Sequence, residues 1–275
     1  EGTFHWTAIQ PDLPPSLSSL RTGCEGTFAA MSTSPLSSKV IFLTGASSGI
    51  GAASAKLLVA NGHRVYATAR RLDRLEALAL QANSNGPGEM KVQALDVLDV
   101  PAQQDAVRNC VAAFGGIDVV IPNAGLGIFS NMGEADLDDW FTMVDVNIKG
   151  VLATLHVSLP HLVASKGLVI NIGSVASRNV FPFSGVYCAT KHAVLALGEA
   201  IRQDLRTQVA STTICPGAVN TDFIEQTKDT ELLDQYRPNF KKGMHPEFIA
   251  EQVLLAIQNR GKGIVSDITL RPDFI

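Results

Sequence analysis

The sequence predicts one doubly wound α/β domain, a seven-stranded parallel sheet covered by helices on both faces. Three observations predict it. Short buried-type apolar runs alternate with helical stretches from residue 39 to residue 270, the pattern of a parallel sheet with crossover helices. The chain has 275 residues, enough for one large core, and no repeat or linker divides it. Hydrophobic residues make up 46% and charged residues only 17%, below the roughly 25% usual for globular domains, so much of the chain is buried.

The elements follow in order. Residues 39–44 form a first strand, followed by a glycine turn and a helix reaching Asn61 and Gly62. A second strand spans 63–68, and Leu/Ala spacing makes 72–82 helical. Strand 90–95, helix 102–114 and strand 118–122 continue the alternation. One long helix is expected over 136–163, then strand 167–173, helix 185–208 and strand 211–215. Residues 221–244 show no regular pattern and are expected to be an irregular lid. Helix 246–259 and a strand over 264–270 complete the domain, taken as residues 38–275. Residues 1–37 are expected to be a disordered extension. They contain Pro11, Pro14, Pro15 and Pro35 among many serines and threonines, and Met31 stands just ahead of the regular pattern. They lack the basic start and apolar run of a secretory signal, and Glu1, Asp12 and Glu25 argue against an organelle leader.

Several function classes are excluded. With 22 basic and 26 acidic residues the net charge is −4, which attracts neither nucleic acid nor an anionic membrane. No stretch approaches the roughly 18 apolar residues of a membrane helix. Cys24, Cys110, Cys188 and Cys215 are far apart and read as reduced thiols, so a cytoplasmic location is expected. No HExxH or Cys/His cluster is present, and no metal is expected.

In a doubly wound sheet, ligands sit beyond the carboxyl ends of the strands. The first of these ends reads Thr44-Gly45-Ala46-Ser47-Ser48-Gly49-Ile50-Gly51. Glycines there let the backbone turn sharply and approach a pyrophosphate, and the following helix offers free N–H groups. After the second strand, an NAD site places a carboxylate to hold the ribose 2′-hydroxyl. This chain has Arg70 and Arg71 instead, and guanidinium groups suit a 2′-phosphate. NADP(H) is therefore the expected dinucleotide, with NAD(H) the other candidate.

The remaining motifs fall in order. Asn123-Ala124-Gly125 follows the fourth strand, Asn147 lies in the long helix, and Ser174 follows the fifth strand. Tyr187-x-x-x-Lys191 and Pro216-Gly217 come after them. Over about residues 39–270 the chain resembles the single-domain short-chain dehydrogenase/reductase family, a Rossmann fold. Its ending, Ser266 to Pro272, is similar to the subgroup of 3-hydroxy acid and serine dehydrogenases and related NADP-dependent carbonyl reductases. Pro122 stands where members often carry a second asparagine.

The resemblance implies an oxidoreductase that interconverts a secondary alcohol and a ketone or aldehyde. Tyr187 would be the general acid/base, Lys191 its partner and holder of the nicotinamide ribose, Ser174 the group that steadies the substrate oxygen, and Asn147 part of a water relay. Tyr187 and Lys191 lie four apart on one helical face, so the ammonium is expected to pull the phenol below its free pKa near 10. Gly45, Ser47, Ser48, Gly49, Ile50, Gly51, Arg70, Arg71, Asp96, Val97, Asn123, Ala124, Gly125, Pro216, Gly217, Val219 and Thr221 would hold the dinucleotide. Phe129, Phe181, Phe183, Phe223 and Ile224 are expected to line a fairly apolar pocket. Arg178 could anchor a substrate carboxylate but reads better as a surface residue, and Cys188 should face away from Tyr187. The apolar helices over 136–163 and 185–208, like the family, point to a homodimer or homotetramer. The rival from another class is a non-catalytic NADP-binding sensor or scaffold of the same fold, a protein under no demand to keep Ser174, Tyr187 and Lys191 in register.

Overall fold

The computed structural model describes residues 37–273. The expected extension lies outside the described residues except for its last residue, and so does Cys24.

The strands are β1 (Val40–Thr44), β2 (Arg64–Ala69), β3 (Glu89–Ala94), β4 (Val119–Ile121), β5 (Leu168–Ile172), β6 (Ala210–Pro216) and β7 (Asp267–Leu270). Between them run α1 (Gly49–Ala60), α2 (Leu72–Asn85), α3 (Val100–Phe114), α4 (Leu137–Val144), α5 (Gly150–Ser165), α6 (Gly185–Asp204), α7 (Thr230–Lys241) and α8 (Pro246–Gln258). The strands form one sheet in the order β3-β2-β1-β4-β5-β6-β7, and every neighbouring pair is parallel. The chain winds outward from β1 to β3, then crosses back to β4. That reversal opens a crevice between the carboxyl ends of β1 and β4, where doubly wound sheets bind ligands.

Central strands such as β1 (VIFLT) and β5 (LVINI) are buried along their whole length because helices cover both faces. On one face Leu58 and Val59 of α1, Leu75 and Leu78 of α2, and Ile249 and Val253 of α8 close over Ile41, Leu43 and Ile170. On the other, Val107 and Cys110 of α3, Leu155 and Leu162 of α5, and Val194 and Ile201 of α6 cover Phe42, Val120 and Val169. Helix α3 shows how local sequence fixes an element. Asp99 caps its start by accepting from Ala102 N at 2.9 Å, Pro101 occupies its first turn, and Gly115 ends it in the left-handed region at φ 87°. No helix among the described residues is long and apolar enough to cross a membrane.

Four expectations need correction. The long helix over 136–163 is two helices, α4 and α5, joined by a π turn at Asp145–Lys149. A π turn inserts one residue without breaking helical hydrogen bonding, so the apolar pattern runs through it unmarked. The 221–244 stretch is not irregular throughout, because it contains a 3₁₀ turn at Asp222–Ile224 and the twelve-residue helix α7. Helix α6 also stops at Asp204, short of 208, and β7 starts at Asp267, later than 264.

Candidate active site

The turns after β1 and β4 are braced against each other. Thr44 Oγ1 accepts from the backbone N–H groups of Asn123 (3.1 Å) and Ala124 (3.2 Å), and Asn123 Nδ2 donates to the carbonyls of Thr44 (2.9 Å) and Gly45 (3.1 Å). The approach leaves no room for side chains at two glycines. A Cβ on Gly45, whose φ is +68°, would lie 2.7 Å from Ala124 Cα, and one on Gly51 would lie 2.4 Å from the Gly45 carbonyl oxygen. Helix α1 then begins at Gly49, directly after Ser48, whose side chain makes no cap, and it has no acidic residue in its first turn. Its N-terminus thus faces the crevice with uncapped N–H groups and an unopposed dipole. At the end of β2, Arg71 reaches back over this turn. Its Nη2 donates to Ser47 Oγ (3.0 Å) and Ser48 Oγ (2.9 Å), and none of residues 69–72 is acidic.

Four polar residues collect on the β4–β6 side, each no more than 8% exposed: Asn147, Ser174, Tyr187 and Lys191. Ser174 caps the 3₁₀ turn Val175–Ser177, its Oγ accepting from Ala176 N at 3.1 Å, while Ser177 Oγ accepts from its backbone N–H. The Ser174 hydroxyl faces the cleft and hydrogen-bonds the Tyr187 phenol there. Lys191 Nζ donates to the carbonyl of Ile172 at 2.9 Å and lies 5.9 Å from the centre of the Tyr187 ring. Burial lowers Lys191 to about 8. Burial also pushes the Tyr187 phenol up, and its hydrogen bond with Ser174 opposes this only in part. The expected downward shift of Tyr187 is not found: burial leads the causes, and the phenol lies above its free value rather than below it.

Asn147 is the one expected catalytic or dinucleotide-binding residue that does not line the cleft. The π turn aims it at the backbone of Leu126, where Oδ1 accepts from N (2.9 Å) and Nδ2 donates to O (2.8 Å). Nδ2 also donates to Thr190 Oγ1 at 3.1 Å. Its side chain holds the strand-four loop in place. Every other expected catalytic or dinucleotide-binding residue lines one continuous cleft of about 770 Å³: Gly45, Ser47–Gly51, Arg70, Arg71, Asp96, Val97, Asn123–Gly125, Ser174, Tyr187, Lys191, Pro216, Gly217, Val219 and Thr221.

The apolar part of the cleft differs from expectation. Phe129, Phe181 and Phe223 line it, but Ile224 is buried among core side chains and Phe183 lies outside the lining. Phe240, Tyr236 and Asn239 of α7 take their places. Arg178 also lies outside, ion-paired with Asp267 at 2.5 Å, the surface role the sequence favoured. Cys188 is fully buried beside Ser184, turned away from the cleft as its helical position requires. One supporting residue escaped the sequence entirely. Buried Gln103 donates to the Val97 carbonyl (2.6 Å) and accepts from Thr154 Oγ1 (2.8 Å), which fixes the turn after β3. The only trace of it in the sequence is a polar residue on the buried face of α3.

A family model described as short chain dehydrogenase matches residues 39–232. An uncharacterised oxidoreductase of Staphylococcus saprophyticus is 37% identical over 238 residues, covering 85% of this chain and 96% of that protein. Among solved structures, an alcohol dehydrogenase of Thermococcus sibiricus complexed with 5-hydroxy-NADP superimposes with a TM-score of 0.77 at 32% identity. The match covers 86% of this chain and 97% of that one. A serine dehydrogenase complexed with NADP+ gives 0.77 at 29% identity, covering 85% and 94%. A Burkholderia phymatum short-chain dehydrogenase/reductase in complex with NAD gives 0.78 at 25%, covering 84% and 88%. With the fold, the braced turns and these likenesses together, the chain belongs to the short-chain dehydrogenase/reductase family, as a single-domain oxidoreductase of that family.

Proposed function

We propose that this cleft binds NADP(H) in preference to NAD(H) and interconverts a secondary alcohol and a ketone or aldehyde. The observation that carries this is the meeting of Ser174, Tyr187 and Lys191, buried, in a cleft whose other end holds an uncapped helix N-terminus and two arginines. The residues fit a nicotinamide dinucleotide. The α1 N-terminus suits the pyrophosphate, and the turns at Gly45 and Gly51 leave backbone rather than side chains facing it. Arg71, already held on Ser47 and Ser48, and Arg70 beside it suit a 2′-phosphate, and no carboxylate stands there for a 2′-hydroxyl. Similar structures hold NADP, its 5-hydroxy form, or NAD. Asp96 and Val97 would meet the adenine, while Pro216, Gly217, Val219 and Thr221 would meet the nicotinamide end.

When bound, the dinucleotide supplies the hydride exchanged with the carbinol carbon. Tyr187, protonated at neutral pH, gives its phenolic proton to the carbonyl oxygen in reduction and recovers it in oxidation. The Ser174 hydroxyl donates to the same oxygen and stabilises the charge that develops there. Lys191 places a positive charge beside the phenol and would hold the nicotinamide ribose. Asn147 positions the loop between Gly125 and Leu126, which lies next to Lys191.

The test follows reduced-nicotinamide absorbance with NADPH and with NADH over ketones, aldehydes and oxo esters, with Tyr187→Phe in parallel. Turnover favouring NADPH and collapsing in the variant is expected. Equal turnover in the variant contradicts the role given to Tyr187, and a preference for NADH contradicts the role given to Arg70 and Arg71. A homodimer or homotetramer is proposed as well, supported by exposed Leu137 and Phe141 on α4 and Leu152 on α5. A monomer in light scattering at micromolar concentration overturns it.

A further inference from the structure

We infer, resting on the function proposed above, that the carbonyl compound taken by this site is neutral and bears an apolar ring next to the reacting carbon. Phe129, Phe223, Tyr236 and Phe240 enclose the space beside Tyr187. Phe223 stands edge-on to the Tyr187 ring at 5.3 Å between centres, Tyr236 edge-on to Phe129 at 5.3 Å, and Phe240 within 6.4 Å of both Phe129 and Phe223. These separations are those of rings in favourable aromatic contact, and such walls receive a further ring by the same edge and offset geometry.

Charge points the same way. Of the charged residues lining the cleft, Arg70, Arg71 and Asp96 belong to the β2 and β3 ends, and Lys191 is tied to the Ile172 carbonyl. The others, Asp222 and Glu225, are acidic but exposed to water, and Glu225 is already paired with Arg237 at 2.8 Å, so neither offers a buried partner to a cation. Arg178, the one arginine placed by sequence to meet a carboxylate, is held by Asp267 outside the cleft. A substrate carboxylate entering the aromatic space would thus be desolvated with no cation offered in exchange. The entrance is apolar too. Phe181 lines the cleft while 42% exposed, and its neighbour Val180 is 73% exposed. The loop is fixed there by Tyr236 Oη, which donates to the Pro182 carbonyl at 3.2 Å, and by Ser130 N, which donates to the Phe183 carbonyl at 2.8 Å.

One glycine makes the wall what it is. A Cβ on Gly127 would lie 2.5 Å from Phe223 Cε1 and 2.7 Å from Cζ, although the Gly127 backbone is one that alanine can adopt. Alanine at 127 would therefore displace the Phe223 ring and reshape the space without straining the chain.

The experiment compares kcat/KM with NADPH for four ketones: acetophenone, phenylglyoxylate (its methyl replaced by carboxylate), acetophenone with a trimethylammonium group on the methyl carbon, and 2-butanone. The expected result is acetophenone preferred about 100-fold over phenylglyoxylate and at least about tenfold over the cationic ketone and 2-butanone. In Gly127→Ala and in Phe223→Ala the acetophenone-to-2-butanone ratio should fall about tenfold. Phenylglyoxylate or the cationic ketone turning over as well as acetophenone overturns the inference while leaving the proposed oxidoreductase intact, and so does 2-butanone matching acetophenone. If none of the four turns over, calorimetry on protein loaded with NADP+ decides the matter separately. Tighter binding of acetophenone than of phenylglyoxylate and 2-butanone sustains the inference, and equal or reversed binding overturns it.

Discussion

At one end of the cleft, glycines, two serines and two arginines from the β1 and β2 turns face the solvent. At the other, Phe129, Phe223, Tyr236 and Phe240 close around Tyr187, with Lys191 buried behind it. The first end recognises through backbone and exposed charge, where each hydrogen bond forms in competition with water. The second works through exclusion of water, which shifts Tyr187 and Lys191 away from their solution behaviour. Substitutions at the buried end should therefore change chemistry and stability together, and substitutions at the exposed end should change only which dinucleotide binds.

The largest effect belongs to the buried phenol. Tyr187→Phe should lower kcat about 10³-fold, the range of a lost general acid, with little change in dinucleotide affinity by fluorescence titration. Lys191 gives the sharper test, because activity and stability should move in opposite directions. Its pKa falls from 10.5 to about 8 on burial, so below about pH 8 the folded protein bears the penalty of a desolvated ammonium. Between about 8 and 10.5 the unfolded chain binds a proton that the folded chain does not, and stability rises with pH across that window. Lys191→Met should lower kcat about 100-fold and raise the unfolding free energy at pH 7 by on the order of 2–3 kcal/mol. The gain should fade as the pH approaches 10.5. Denaturant titrations of both proteins at several pH values measure this. In the wild type, reduction should slow as the pH rises through about 8, when the ammonium is lost.

The exposed end should respond on a smaller scale. Arg71→Ala removes a guanidinium from the Ser47–Ser48 turn, and kcat/KM for NADPH should fall about 10- to 100-fold while the value for NADH stays within about twofold. Smallest of all is the Arg237–Glu225 pair that ties α7 to the segment before it. As an exposed ion pair screened by water it contributes little, so Arg237→Ala should leave the melting temperature nearly unchanged and shift KM by no more than about threefold.

The same contrast decided what the sequence revealed. Gly45 and Gly51 announce themselves because two braced turns leave no space for a Cβ, and their position between a strand and a helix is fixed by topology. Tyr187 and Lys191 share a helical face by spacing alone. The central strands were legible because a parallel sheet covered on both faces makes them apolar throughout, as in β1 and β5. The aromatic end was legible only in part. Helix α7 buries just Leu232 and Leu233 and carries Pro238 inside it, so its apolar stripe is too short to read as a helix. Its start was nevertheless marked, since Asp229 caps it by accepting from Leu232 N at 3.0 Å. The π turn at Asp145–Lys149 left no compositional mark, and with it went the direction of the Asn147 side chain. The shift of Tyr187 was misjudged because sequence shows a neighbouring charge but not the depth at which both groups lie.

The most direct test of the account is transfer of deuterium from NADPH carrying deuterium at both positions of nicotinamide C4 to a ketone, with the product alcohol examined by mass spectrometry. Deuterium on the carbinol carbon, formed by the wild type and lost about 10³-fold in rate with Tyr187→Phe, is the predicted result. An alcohol without deuterium, or a variant as fast as the wild type, would contradict it.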